Sequence, residues 1–427
     1  MINKTYTAHI LDNGLTVLLK ENHSAPIISH WVWYRVGSRN EISGKTGISH
    51  FVEHMQFRGT KRFPGKEAVR EITRNGGDLN GITSLDWTAF YETMPAERIG
   101  IAIDIEADRM VNSTFNPNEL ETERAVILSE QEGDESAPIC RLINSIRKSA
   151  FPHHPYGRDL FGEIEDIHSL TRNDLFDYYH TWYTPNNAVV TVSGDFDTEE
   201  MLYRIDAAYG RIPARPVPIV DIAPEAPISG LRKIETNGCS DFNNLRMVWH
   251  IPSTNDVAIP ALMLLNIILA GVDSINMFDK ISISNRTSRL YQKLVNSGMA
   301  SDTCIYFTPT IDPYILDLST QINSGVEVEE VREAIFTELE DIAQNGVQTA
   351  EIEKACKQAK AMYTYSEEDI TNQAYWLGSS SMFADPDWYT DYLLRLESVK
   401  AEDISQVAKS IFRRDNCIAG SFTEGEE

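Results

Sequence analysis

The sequence predicts an α+β protein of two homologous domains, on three observations. Amphipathic helices and period-two strands recur along the chain, for example Glu327 to Ala343 and Thr349 to Tyr363 as helices, Ile28 to Val36 and Tyr314 to Thr320 as strands. Pro213, Pro216, Pro218, Pro224 and Pro227 crowd its middle. Proline lacks the amide donor and breaks regular structure, so residues 1–215 and 230–427 read as domains and 216–229 as a linker. The two halves also echo one another. Ser169-Leu-Thr-Arg-Asn-Asp174-Leu-Phe-Asp-Tyr-Tyr aligns without gaps on Ser398-Val-Lys-Ala-Glu-Asp403-Ile-Ser-Gln-Val-Ala, placing Asn187 on Asn416. Each copy reads as helix, short turn and apolar strand, Ala188 to Val192 in one and Cys417 to Ala419 in the other.

The chain opens on a strand–turn–strand pattern with Asp12-Asn13-Gly14 at the turn. No signal peptide precedes it and no apolar run approaches a membrane span, which predicts a cytoplasmic location. Five cysteines, Cys140, Cys239, Cys304, Cys356 and Cys417, are scattered with no C-x-x-C pair, so neither a disulfide framework nor a thiolate metal site is indicated. The 427 residues exceed one ordinary core and suit two domains. A hydrophobic content of 42% and a charged content of 24% are those of a globular protein. The net charge of −25 argues against binding nucleic acid or anionic membranes and is compatible with basic peptides.

His50-Phe-Val-Glu53-His54 carries the chemistry. Ile48, Phe51, Val52 and Met55 recur at the three- and four-residue steps of a buried helix face, predicting a helix from Gly47 to Phe57. Residues four apart lie one turn apart on the same side. His50 and His54 can therefore offer two imidazoles to one metal, and Glu53 can reach a water bound to it, the inverted zinc-protease pattern H-x-x-E-H. A hydrolytic zinc takes three protein ligands and keeps one position open for water. The third ligand is expected in the helical segment Glu119-Leu-Glu121-Thr-Glu123-Arg-Ala-Val-Ile-Leu-Ser-Glu130-Gln-Glu132, where Glu119, Glu123, Glu130 and Glu132 are alternatives that spacing does not separate. His153 and His154 precede a Pro-Tyr-Gly turn and read as loop residues. His9, His23, His30, His168, His180 and His250 are isolated and nothing marks them as ligands.

Several motifs in order then give the chain a resemblance to the pitrilysin, insulin-degrading-enzyme and mitochondrial-processing-peptidase family of zinc peptidases. They are Gly37-Ser38-Arg39, GISHFVEHMQFRGT, Gly76-Gly77-Asp-Leu-Asn80-Gly-Ile-Thr83-Ser-Leu-Asp86-Trp-Thr88, Asp108-Arg109-Met110, ETERAVILSE, His154-Pro155-Tyr156-Gly157 and Tyr183-Thr-Pro185-Asn-Asn187. The resemblance implies two homologous domains, each a mostly antiparallel sheet covered by helices, the first binding one zinc ion. It implies His50, His54 and Glu130 as metal ligands, Glu53 as general base and Glu123 as a carboxylate supporting the site. It also implies that Gly76 to Thr83 is an edge strand on which peptide substrate pairs, with Asn80 contacting substrate backbone.

The second half departs from the family pattern. Ser288-Arg289-Leu290-Tyr291-Gln292 matches the segment holding the family's substrate-clamping arginine, placing Arg289 in that role. The following piece reads Gly298-Met299-Ala300-Ser301, with serine where the family has tyrosine, and the stretch Asp273 to Asn285 is longer than usual. In the family two such halves face each other, so the resemblance implies a dimer, either of identical chains or with a homologous subunit supplying the clamp. The implied activity is zinc-dependent endopeptidase cleavage of unfolded peptides. Two rivals are a non-catalytic peptide-binding or assembly subunit of the same fold, and a structural zinc protein.

Overall fold

A computed structural model describes residues 6–238, 243–272 and 286–424. Cys239 and the long stretch Asp273 to Asn285 thus lie outside the described residues. The first sheet has strands β1 (Thr7–Ile10), β2 (Thr16–Glu21), β3 (Ile27–Tyr34), β4 (Asp78–Thr83), β5 (Thr88–Pro95) and β6 (Ala188–Gly194), in the order β1-β2-β6-β3-β5-β4. The second has β7 (Arg232–Gly238), β8 (Asn243–Ile251), β9 (Ala300–Phe307), β10 (Tyr314–Ile322) and β11 (Cys417–Glu424), in the order β7-β11-β8-β10-β9. Among the described residues only β2–β6 and β7–β11 pair in parallel. Read β7 to β11 as β2 to β6, with β9 and β10 standing for β4 and β5, and the two sheets share one topology; the first adds β1 at its edge. The fold is α+β.

The sequence echo has a structural counterpart. Helices Arg172–Trp182 and Ala401–Ile411 each run through a short 3-10 turn into a central strand, β6 or β11. Asp174 Oδ2 accepts from Thr171 N and Asp403 Oδ2 accepts from Lys400 N, each at 2.9 Å. The aligned aspartates therefore satisfy a backbone amide beside the start of their helix, where donors lack intrahelical partners.

Six further helices matter here: α1 (Ile48–Gln56), α2 (Pro117–Ser136), α3 (Pro138–Ala150), α4 (Ile259–Ala270), α5 (Thr349–Ser366) and α6 (Ile370–Phe383). In chain order α4 stands to β8 as α1 stands to β3. Two compact units emerge, and the chain does not divide between them at a single cut. One comprises Met1–Glu132, Arg158–Ile222 and Glu367–Thr390; the other comprises Gly133–Gly157, Ala223–Ser366 and Asp391–Glu427. Residues 213–229, around the proline cluster, carry no helix or strand.

Segments are thus exchanged. α6 packs on β3 and β6 of the first sheet, and α3 packs on β11 and β7 of the second. Glycine permits close approach in both: a Cβ on Gly378 of α6 would fall 1.9 Å from Trp33 Nε1, and one on Gly420 of β11 would fall 2.4 Å from Ile146 Cδ1 of α3. The exchange covers the second face of the first sheet. β3 consequently buries Trp31 and Trp33 on the side of α6 while Ile28, Val32 and Tyr34 join the main core with Phe51, Val52 and Met55 of α1. A strand buried on both faces reads as a nearly continuous apolar run.

Candidate metal centre

α1 starts where the sequence forces it to. Gly47 lies at φ +78°, a left-handed conformation that favours glycine, and a Cβ there would meet Phe161 O at 2.1 Å. The buried Glu41 carboxylate accepts from Gly47 N at 2.8 Å and Ser49 N at 2.9 Å, satisfying two amides at the helix start. Burial pushes that carboxyl up to about 7 against the pull of these hydrogen bonds.

Ile48, Phe51, Val52 and Met55 anchor one face of α1 in the core, which turns His50 and His54 together toward α2. Their Nε2 atoms stand 3.2 Å apart. Glu130 Oε2 lies 3.5 Å from His54 Nε2 and 4.0 Å from His50 Nε2. Two nitrogens bound tetrahedrally to zinc at about 2.0–2.1 Å would be about 3.3 Å apart. The pair already has that spacing, and all three donor atoms lie within 4.8 Å of one another. Among the described residues this trio is the full cluster, so it offers three ligands and leaves a coordination position open.

The protonation pattern suits a metal. His54 Nδ1 lies 3.1 Å from Glu123 Oε2. With the proton on Nδ1, directed at Glu123, Nε2 keeps its lone pair. Burial, and then the neighbouring His54, push His50 down to about 3, so its ring stays neutral. These residues fit a zinc ion.

Glu53 sits on the same helix, with 7% of its surface exposed. Burial raises its carboxyl above the ordinary carboxylate range, partly offset by His54 and by the hydrogen bond from Thr83. Thr83 Oγ1, on β4, donates to Glu53 Oε2 at 3.0 Å. Gly81 of the same strand is equally tied to it: a Cβ there would fall 2.6 Å from Glu53 Oε1 and 2.8 Å from Phe57 Cε2. Among the described residues β4 is the sheet's last strand and pairs only with β5. Asn80 on β4 is exposed, and its Oδ1 accepts from Gly81 N at 2.9 Å.

The structure sorts the four glutamates that spacing left open. Glu130 faces both histidines, Glu123 supports His54, Glu119 Oε2 lies 3.4 Å from Arg58 Nη1, and Glu132 is exposed. Arg289 belongs to the second unit, where it binds carboxylates of its own unit: Nε and Nη2 donate to Glu351 at 2.7 and 2.9 Å, and Nη1 to Glu338 and Asp341, both at 3.1 Å. Ser301 Oγ donates to Gln321 Oε1 at 3.0 Å. His154 is buried, with Nε2 3.1 Å from Asp312 Oδ2. Gly81, Thr83 and Arg58 lie within motifs read from the sequence, which gave them no individual role.

Comparison with known proteins bears on the whole chain. A family model described as insulinase (peptidase family M16) matches residues 16–163, and one described as peptidase M16 inactive domain matches 169–359. His50, Glu53, His54 and Glu130 all fall in the first match. A Bacillus subtilis protein described as an uncharacterized zinc protease, YmxG, is 26% identical over 422 residues, covering 97% of each chain. A probable beta subunit of the mitochondrial-processing peptidase from Arabidopsis thaliana is 32% identical over 219 residues, which is 51% of this chain and 41% of that protein. Two solved structures share the fold. A protease from Helicobacter pylori has TM-score 0.90 at 23% identity, covering 98% of this chain and 99% of that one. Pitrilysin has TM-score 0.81 at 18% identity, covering 99% of this chain and 45% of its own.

Proposed function

This chain belongs to the insulinase, or M16, family of peptidases, and on that premise we propose that it is a zinc-dependent endopeptidase acting on unfolded peptides. The convergence of His50 Nε2, His54 Nε2 and Glu130 Oε2 within 4.8 Å carries the reading. His50, His54 and Glu130 would hold a zinc ion there, which would supply Lewis acidity toward water and a scissile carbonyl. Glu53 is the proton carrier. Its carboxylate, shielded from bulk solvent, takes a proton from the attacking water and returns it to the departing amine. Thr83 fixes one oxygen of that carboxylate. The unpaired side of β4 can accept an extended peptide as an added strand, with Asn80 reaching its backbone. Gly81 keeps the space between that strand and Glu53 clear.

The match described as an inactive domain speaks for no catalysis of its own; the support for a peptidase comes from the cluster lying within the match described as insulinase. Arg289 would have to leave three carboxylates to bind substrate, so no step is assigned to it. Assembly with a second homologous chain, identical or not, belongs to this reading; a fully active monomer on size exclusion would contradict that part. The central test is cleavage of an unstructured quenched-fluorescent peptide. A chelator should stop it and zinc restore it. Glu53→Gln should retain the metal and lower kcat by about 10²–10⁴. Cleavage indifferent to both would refute the proposal.

A further inference from the structure

We propose that Arg58 is a positioning residue for the metal centre: it holds Glu123 in the orientation in which Glu123 fixes the His54 ring. This rests on the zinc site proposed above. His50, His54 and Arg58 are spaced by four, which puts them on one side of α1 and its last turn. The Arg58 amide donates to Met55 O at 3.0 Å, tying Arg58, two residues past the helix end, to its last turn. Opposite lies a matching series on α2, Glu130, Glu123 and Glu119, running the other way. His50 and His54 face Glu130, His54 faces Glu123, and Arg58 faces Glu123 and Glu119.

Glu123 is the middle rung and the most buried, with its side chain 4% exposed. One oxygen, Oε2, is taken by His54 Nδ1; the other, Oε1, meets Arg58 Nη2. Without Arg58, a buried carboxylate would face two like charges on its own helix, at four residues before and seven after, with one oxygen unpaired. Such a group leaves its place. His54 would then lose the acceptor that sets its ring and its tautomer, an effect that typically weakens metal binding by about 10–100-fold.

Simple charge counting predicts the reverse, because removing a cation near a dication should tighten binding. The sign of the change therefore decides. The experiment is zinc affinity of the full chain, measured by competition with a chromophoric chelator, for wild type, R58M, E123Q and the double variant. Positioning predicts that R58M binds zinc about 10–100-fold more weakly, and that R58M adds little once Glu123 is already Gln, because one residue acts through the other. Unchanged or tighter binding by folded R58M, or full additivity with E123Q, overturns the assignment. If R58M does not fold, R58Q takes its place under the same two outcomes. A wild-type chain that binds no zinc overturns the metal site itself, a different result from equal binding by wild type and variant.

Discussion

The two domains place a helix after the same strand and make opposite use of it. α1 in the first domain carries His50, Glu53 and His54, and faces an α2 that presents Glu119, Glu123 and Glu130. α4 in the second reads IPALMLLNIILA, has no titratable side chain and is buried along most of its length. It packs on α5, which buries Ala355, Ala359 and Met362, with Ser366 buried at its last position. One topology therefore supports both an apolar helix pair and a pair whose facing sides are charged. The polar pair is held by its ladder of partners and by Glu41, Thr83 and Arg58 around it, whereas the apolar pair needs none. The contrast shows that one strand–helix topology carries a charged helix–helix interface in the first domain and an apolar one in the second.

The comparison can be broken first at His54. His54→Leu makes α1 resemble α4, and zinc content by elemental analysis and peptide cleavage should both fall to background while the fold persists. Zinc itself should then act on one domain only. At about a hundredfold excess over Kd it should stabilise the protein by about 2.7 kcal/mol, with hydrogen exchange slowed in α1 and α2 and unchanged in α4 and α5. Uniform protection would remove the distinction. Gly81→Ala puts a methyl against Glu53 and should lower kcat by about 10–100-fold with zinc content intact; a rate equal to wild type would separate β4 from the chemistry. Arg289→Gln should do the converse, lowering melting stability by about 1–2 kcal/mol and leaving kcat within a factor of about two.

The smallest effect concerns pH. His50 is held near 3 in the folded chain and titrates near 6.5 when unfolded, so the unfolded state binds the extra proton between those values. Stability of the metal-free protein is thus lost as pH falls below about 6.5. His50→Leu removes that term and should move the acid-unfolding midpoint to lower pH by about half a unit, followed by circular dichroism. A midpoint that stays put or rises would mean His50 is not held neutral.

Much of this was legible from the chain, and the rest was hidden for definable reasons. Helix periodicity located α1, and the spacing of His50 and His54 placed two imidazoles on one face. The echo around Asp174 and Asp403 reported a repeated helix–turn–strand because local hydrogen bonds specify it. Which glutamate joins the two histidines was not legible from spacing, since Glu119, Glu123 and Glu130 recur on one face of α2 and only the packing of α1 ranks them. Gly81 and Thr83 act across a strand–helix contact that leaves no periodic trace. Arg58 did leave one, four residues beyond His54 and inside the motif GISHFVEHMQFRGT, but the sequence reading gave it no role. The exchange of α3 and α6 was invisible because amphipathic helices do not encode which sheet they cover.

The most direct test is an anomalous difference map collected at the zinc edge from crystals of the zinc-loaded Glu53→Gln chain. A single peak about 2.0–2.2 Å from His50 Nε2, His54 Nε2 and a Glu130 carboxylate oxygen is the predicted result. No peak, or a peak bound by other residues, would contradict it.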